Sequence, residues 1–156
     1  MVLPVLKDLA QGMRFLHSAD QPIIHGDIKA QNVLVDSKFR AKVADFGLTQ
    51  KKKLGLHGTP PFMAPELLRG QGNSTATDVY AFAVVLAEVY SRKDPYQGED
   101  MNEVLKQVAD VGRDPPKRCL VPTAIPEGLK LLMQECWAEE ASKRPTFNEI
   151  DRRIQR

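Results

Sequence analysis

Val79-Tyr80-Ala81-Phe82-Ala83-Val84-Val85-Leu86-Ala87-Glu88-Val89-Tyr90 is the stretch that decides the fold of this chain. Every residue except Glu88 is apolar or aromatic, so a helix over this stretch must be buried on nearly all sides. Twelve residues are too few to cross a bilayer, and we therefore predict a central core helix. Thr77 or an earlier Ser or Thr is expected to cap it, and Asp94-Pro95 to prevent its continuation.

Other segments show the spacing of amphipathic helices that pack around this core. The first predicted helix covers roughly residues 4–18, and the second is marked by Met101, Val104, Leu105 and Val108. A third begins near Pro126 and includes Leu129, Leu132, Met133, Cys136 and Trp137. A last one follows Pro145 and includes Phe147, Ile150 and Ile154. A short helix is predicted from Ala64 to Arg69, with Pro65 in its first turn.

Short β segments are predicted near the acidic residues of the first third of the chain. They are Ile23-Ile24-His25, Val33-Leu34-Val35 and Ala41-Lys42-Val43-Ala44, with turn residues at Asp36-Ser37-Lys38. Residues 48–63 are glycine- and proline-rich and predict a loop. The expected fold class is mainly α with small β hairpins.

Length and composition indicate a single compact unit with a small-molecule or protein substrate. The 156 residues are enough for one domain, and 22 basic against 20 acidic residues give no reason to expect a nucleic-acid or anionic-membrane partner. The N-terminus has no signal-peptide pattern and the chain no membrane segment, so we expect an intracellular, cytoplasmic location. Cys119 and Cys136 are expected to be free thiols, and the sequence does not indicate an oligomeric state.

Four polar residues carry the expected chemistry. The stretch His25-Gly26-Asp27-Ile28-Lys29-Ala30-Gln31-Asn32 is followed by Asp45-Phe46-Gly47. Taken singly, an Asp is more often a turn or cap residue and a His more often packs than reacts. Taken together, Asp27, Lys29, Asn32 and Asp45 form a set of groups that phosphoryl transfer can use.

The order of several short motifs resembles the large, C-terminal lobe of a eukaryotic protein kinase. The motifs are His25-Gly26-Asp27 with Asn32, Asp45-Phe46-Gly47, Ala64-Pro65-Glu66, Asp78 at the start of the buried helix, Cys136-Trp137, and Arg144-Pro145-Thr146-Phe147. The resemblance implies that residues 1–156 are a partial kinase domain, from the first large-lobe helix to the last.

The resemblance also implies roles for individual residues. Asp27 would accept or orient the proton of the substrate hydroxyl, and Lys29 would neutralise charge on the transferred phosphoryl group. Asn32 and Asp45 would hold the magnesium ions that bridge the phosphates of ATP. Leu34 would lie under the adenine ring. Glu66 and Arg144 would form a buried ion pair, and His25, Phe46 and Asp78 would connect the site to the buried helix.

The substrate class follows from two sets of motifs. Lys29, and Thr59 after Gly58, resemble the pattern of serine/threonine kinases, in which that threonine contacts the catalytic Asp and Lys. Asp94-Pro95-Tyr96 and the motifs near the C-terminus resemble tyrosine kinases. The combination is similar to the tyrosine-kinase-like group, so we expect a protein substrate with Ser or Thr as the acceptor.

The 156 residues contain no glycine-rich phosphate loop and no Val-Ala-Ile-Lys-type strand lysine, so the small N-terminal lobe is expected to be absent. Three hypotheses follow: part of a catalytic kinase, an inactive kinase-like interaction module, or a truncated fragment. For the chain alone we expect weak or no ATP binding and an exposed apolar patch around Leu34.

Overall fold

The computed structural model describes residues 2–35, 41–43 and 58–155. In this part of the chain the helices are α1 (Val2–His17), α2 (Pro65–Leu68), α3 (Thr75–Ser91), α4 (Met101–Ala109), α5 (Glu127–Cys136) and α6 (Phe147–Gln155). The strands are β1 (Val33–Val35) and β2 (Ala41–Val43), and short 3-10 turns cover Ala30–Asn32, Pro60–Phe62 and Ala141–Lys143. The five longer helices lie where periodicity predicts them.

Helix α3 is the centre of the core, as the apolar run predicts. All residues from 77 to 87 are buried, and α5 packs against the helix. The helix begins one turn before the apolar run because Ser74 caps it: the Ser74 hydroxyl accepts from the Thr77 N–H, and the Thr77 side chain accepts from the Ser74 N–H. It ends at Arg92, whose φ of 58° is left-handed.

Helix α1 presents its predicted apolar stripe to the same core. Leu6, Leu9 and Met13 are almost completely buried. Helix α1 packs against α6, and the two helices are also joined by an ion pair of 2.8 Å between Arg14 Nη1 and Asp151 Oδ2. The first and last helices of the chain therefore lie side by side.

The β structure is smaller than the sequence predicts. Strands β1 and β2 pair antiparallel, with Val33 opposite Val43. The predicted β segment Ile23-Ile24-His25 is wrong: these residues form no strand. The Ile23 N–H donates to the Leu16 carbonyl, and the His25 N–H donates to the Asp78 carboxylate, so neither group takes part in a ladder. The predicted turn at 36–38 lies outside the described residues.

Both cysteines are free and buried, as predicted. Burial raises the pKa of the Cys119 thiol to about 11. It raises the pKa of Cys136, which is completely buried, even further. A thiol with a raised pKa is protonated at neutral pH and acts as a small apolar side chain.

A buried ion pair joins α2 to the rest of the fold. The Arg144 guanidinium, with a side chain 0% exposed, donates from Nη1 to Glu66 Oε2 at 2.7 Å and from Nη2 to Glu66 Oε1 at 2.9 Å. It also donates to the carbonyls of Ala76 and Ala138, and lies 5.2 Å from the ring centroid of Tyr80. The predicted pair is confirmed, and it holds α2 against the start of α3.

Replacement of Glu66 by Gln should lower the free energy of unfolding by about 3–5 kcal/mol, because it leaves the Arg144 charge buried without its counter-charge. Urea denaturation of the unmodified chain and of the Glu66→Gln variant measures this loss of stability. The matched control is Glu135→Gln, since Glu135 forms a similar fork with Arg153 but its side chain is 50% exposed. That change should cost no more than about 1 kcal/mol. Equal losses in the two variants would contradict the assignment of Arg144 as a buried anchor.

Candidate active site

The Asp27 carboxylate lies at the centre of a hydrogen-bond network. Its Oδ1 accepts from the Thr59 hydroxyl at 2.8 Å, and its Oδ2 accepts from Asn32 Nδ2 at 3.3 Å. The Lys29 ammonium lies 3.7 Å from Oδ2 and donates to the Thr59 hydroxyl at 2.9 Å. Four of the residues selected from the sequence are therefore brought into one network, although Thr59 is 32 positions from Asp27.

The backbone of residues 25–32, which we call the Asp27 loop, curls around Asp27. The 3-10 turn Ala30–Asn32 brings the Asn32 side chain back, and its Nδ2 donates to the Asp27 carbonyl at 2.7 Å. The Asp27 N–H donates to His25 Nδ1 at 3.1 Å. Gly26 has a φ of 79°, which glycine adopts without strain. Local hydrogen bonds thus hold the backbone of the loop around Asp27.

Asp78 holds the start of the Asp27 loop from below. It lies in the first turns of α3 and is only 1% exposed. Its Oδ2 accepts from the His25 N–H at 2.9 Å, and its Oδ1 accepts from the Gly26 N–H at 2.8 Å. His17, at the end of α1, places Nε2 2.9 Å from Oδ2. Sequence reasoning selected Asp78 but missed His17, whose position at the end of an amphipathic helix carries no local signal.

Glu88 is a second residue of α3 near the Asp27 loop. Sequence reasoning did not assign it to the site. Its carboxylate lies near the Ala30 N–H of the Asp27 loop, and its Oε1 is buried with no hydrogen-bond partner among the described residues. Burial and the nearby Asp94 raise the pKa of Glu88, and the Ala30 N–H offsets part of that increase. The signal was present in the sequence, because Glu88 is the only charged residue in the apolar run of α3.

Gly58 allows the segment before Thr59 to approach the Asp27 loop. Its φ is 122°, a conformation that other residues rarely adopt, and a Cβ at this position would lie 3.0 Å from the Gly26 carbonyl oxygen. The close approach of the two backbones places the Thr59 hydroxyl within reach of Asp27.

Three of the residues selected from the sequence have side chains that lie outside the described part of the chain. Leu34 lies in β1, but its side chain is outside the described residues, as are Asp45 and Phe46. The described part of the site is therefore the acid, lysine, amide and threonine set.

The chain matches the family model of protein tyrosine and serine/threonine kinases over residues 1–154. The chain belongs to this protein kinase family, which confirms the resemblance seen in its motifs. Among the described residues, no helix has the length and apolar character required to span a membrane.

Three relatives illustrate the similarity. The probable serine/threonine-protein kinase drkC of Dictyostelium discoideum is 39% identical over 156 residues, which cover 95% of this chain and 20% of that protein. The serine/threonine-protein kinase CTR1 of Arabidopsis thaliana is 37% identical over a stretch that covers 95% of this chain and 18% of that protein. The dual specificity protein kinase shkC of Dictyostelium discoideum is 35% identical over a stretch that covers 92% of this chain and 29% of that protein. The chain thus spans less than a third of the length of these relatives.

Replacement of Asp78 by Asn should loosen the Asp27 loop. An amide offers one acceptor oxygen and turns an N–H donor toward the backbone donors of His25 and Gly26. We expect a loss of at least about 1.5–3 kcal/mol of stability, the value of one hydrogen bond to a charged group. Amide hydrogen exchange at His25 and Gly26 should also become faster, which mass spectrometry or NMR can measure.

The control for this change is Asp100→Asn. Asp100 caps α4 by accepting from the Asn102 N–H at 2.9 Å, and Asn is an equally good N-cap, so stability should hardly change. If exchange at His25 and Gly26 is the same in Asp78→Asn as in the unmodified chain, Asp78 does not hold the loop.

Proposed function

We propose that this chain is the catalytic-base and magnesium-binding part of a serine/threonine protein kinase, which transfers the γ-phosphoryl group of ATP to a hydroxyl of a protein substrate. The observation that carries the proposal is the network in which the buried Asp27 carboxylate contacts Thr59, Lys29 and Asn32. In this proposal residues 1–156 form one partial kinase domain with an intracellular location.

Asp27 is the proposed general base. The residue is 6% exposed and the orientation of its carboxylate is held by donors on both oxygens, as a base needs when it must meet the hydroxyl of a bound substrate. Lys29 supplies a positive charge next to it and stabilises the charge that develops on the transferred group. Thr59 accepts from Lys29 and donates to Asp27, so it keeps the cation and the base at a constant separation.

Asn32 and Asp45 are the proposed magnesium ligands. Asn32 donates from its amide nitrogen to Asp27, which leaves the amide oxygen as the atom for a cation, and oxygen ligands suit Mg²⁺. A bound Mg²⁺ would neutralise charge on the phosphates of ATP. Asp45 as second ligand, Leu34 below the adenine ring, and Lys29 as a further contact of ATP are proposed from their positions in the family motifs.

The choice of Ser and Thr as acceptors rests on Thr59 and Lys29. Their contact with each other and with Asp27 is the arrangement that the serine/threonine pattern implies. The similar drkC and CTR1 proteins are also named as serine/threonine-protein kinases. The mixture of these features with tyrosine-kinase-type motifs supports membership of the tyrosine-kinase-like group.

The first test is Asp27→Asn in a protein that carries this lobe together with an ATP-binding small lobe. Loss of the base should lower kcat for a Ser/Thr peptide by about 10²–10⁴-fold, while the Kd for Mg-ATP stays nearly unchanged. A radiolabelled phosphate-transfer assay measures the first quantity and calorimetry the second. Asp20→Asn, at an exposed residue of the turn after α1, is the control and should leave both unchanged. Activity that survives Asp27→Asn would remove Asp27 from this role.

The second test is calorimetric titration of the 156-residue chain with Mg-ATP. We expect weak or no binding, because in phosphoryl transfer the phosphates are held from two sides and the chain contains motifs for only one. The same titration with the small lobe present is the positive control. Micromolar binding to the chain alone would contradict this expectation.

A further inference from the structure

The Asn73 side chain has a protein partner at only one end of its amide. Asn73 lies in the turn before α3, and the Thr77 hydroxyl donates to its Oδ1 at 3.2 Å. Its Nδ2 is buried and has no hydrogen-bond partner among the described residues. Exchanging the positions of the amide oxygen and nitrogen still leaves one of them without a partner, because the Thr77 hydroxyl contacts only one of the two atoms. One polar atom of Asn73 is therefore left to another donor or acceptor.

A small cavity lies next to this amide. It has a volume of about 10 Å³ and is lined by Asn73, by Gly26 and Asp27 of the Asp27 loop, and by Gly58 and Thr59, among others. This volume corresponds to about one water-sized sphere, and a site that holds a water must also offer it polar partners. The cavity is thus too small for a metabolite and large enough for one water molecule.

The close approach of Gly58 to Gly26 forms part of the wall of this cavity. The Gly26 carbonyl oxygen lies 3.0 Å from the place that a Cβ on Gly58 would occupy, and the Met63 side chain lies 3.4 Å from it. Because Gly58 has no side chain, the space between these groups stays open. Gly26 of the Asp27 loop and Asn73 therefore line the same small volume.

We propose that one water molecule is bound in this cavity and joins the Asn73 amide to the backbone of the Asp27 loop at Gly26. A water molecule both donates and accepts, so it satisfies whichever end of the Asn73 amide faces the cavity. Without it, a buried amide group would lose its hydration with no compensation. Through this water, Asn73 is a positioning residue for the loop that carries Asp27. Only the catalytic role of that loop rests on the proposed function.

Water relaxation dispersion with ¹⁷O tests the site in the chain as it is. This measurement counts long-lived bound waters, and Asn73→Leu should contain one fewer than the unmodified chain. Asn102→Leu, at an exposed position of α4, is the control and should contain the same number. In the unmodified chain, the Asn73 side-chain amide should also give a nuclear Overhauser cross-peak to water with the sign of a rigid complex. This second measurement needs no variant. An unchanged water count, or the absence of the cross-peak, overturns the proposal.

Hydrogen exchange tests the positioning role separately. Loss of one water-mediated hydrogen bond should make exchange at Gly26 and Asp27 about two- to tenfold faster in Asn73→Leu, with unchanged exchange in α5. Asn73→Asp, which keeps an acceptor toward the cavity, should restore most of the protection. Unchanged exchange at Gly26 and Asp27, in a variant that has lost the water, overturns the positioning role. None of these readouts depends on phosphate transfer, so a failed kinase assay with Asp27 does not affect them.

Discussion

The fold depends on one buried carboxylate, that of Asp78. A carboxylate within the most apolar helix of the chain is tolerated only when donors surround it. The donors are the backbone N–H groups of His25 and Gly26 and the ring of His17. Two of the three belong to the loop that carries Asp27. The requirement to satisfy a charge inside the core therefore also determines the path of the backbone at the candidate active site.

Helix α3 extends this control along its length. Its first turn holds residues 25 and 26, Glu88 near its other end lies close to the Ala30 N–H, and Tyr80 lies against the Arg144 guanidinium that anchors α2. The Pro60–Phe62 turn that follows Thr59 packs against α3, and Asp27 is also supported from α3. The contact between Thr59 and Asp27 joins two parts of the chain that the same central helix positions.

Sequence periodicity predicted the helices well, because each amphipathic stripe must face a core and a fully apolar run must lie inside it. It failed for Ile23-Ile24-His25, where a short apolar run looks like a strand. The backbone N–H of Ile23 donates to the Leu16 carbonyl, and that of His25 donates to Asp78. A pattern of apolar residues within the run does not reveal either acceptor. The cap of α3 is Ser74, one of the alternatives that the sequence left open, since several hydroxyl residues precede the apolar run.

The sequence by itself selected Asp27, Lys29, Asn32 and Thr59 through the family motifs, and these four residues form one network in the structure. Only the tertiary structure decided how they are held. His17 supports the Asp27 loop through Asp78, which is 61 positions away, and one small cavity is lined by both Gly26 and Asn73, which are 47 positions apart. The physical reason is that a side chain's chemistry is a local property, whereas the pairing of a buried polar group depends on which distant segments the core brings next to it.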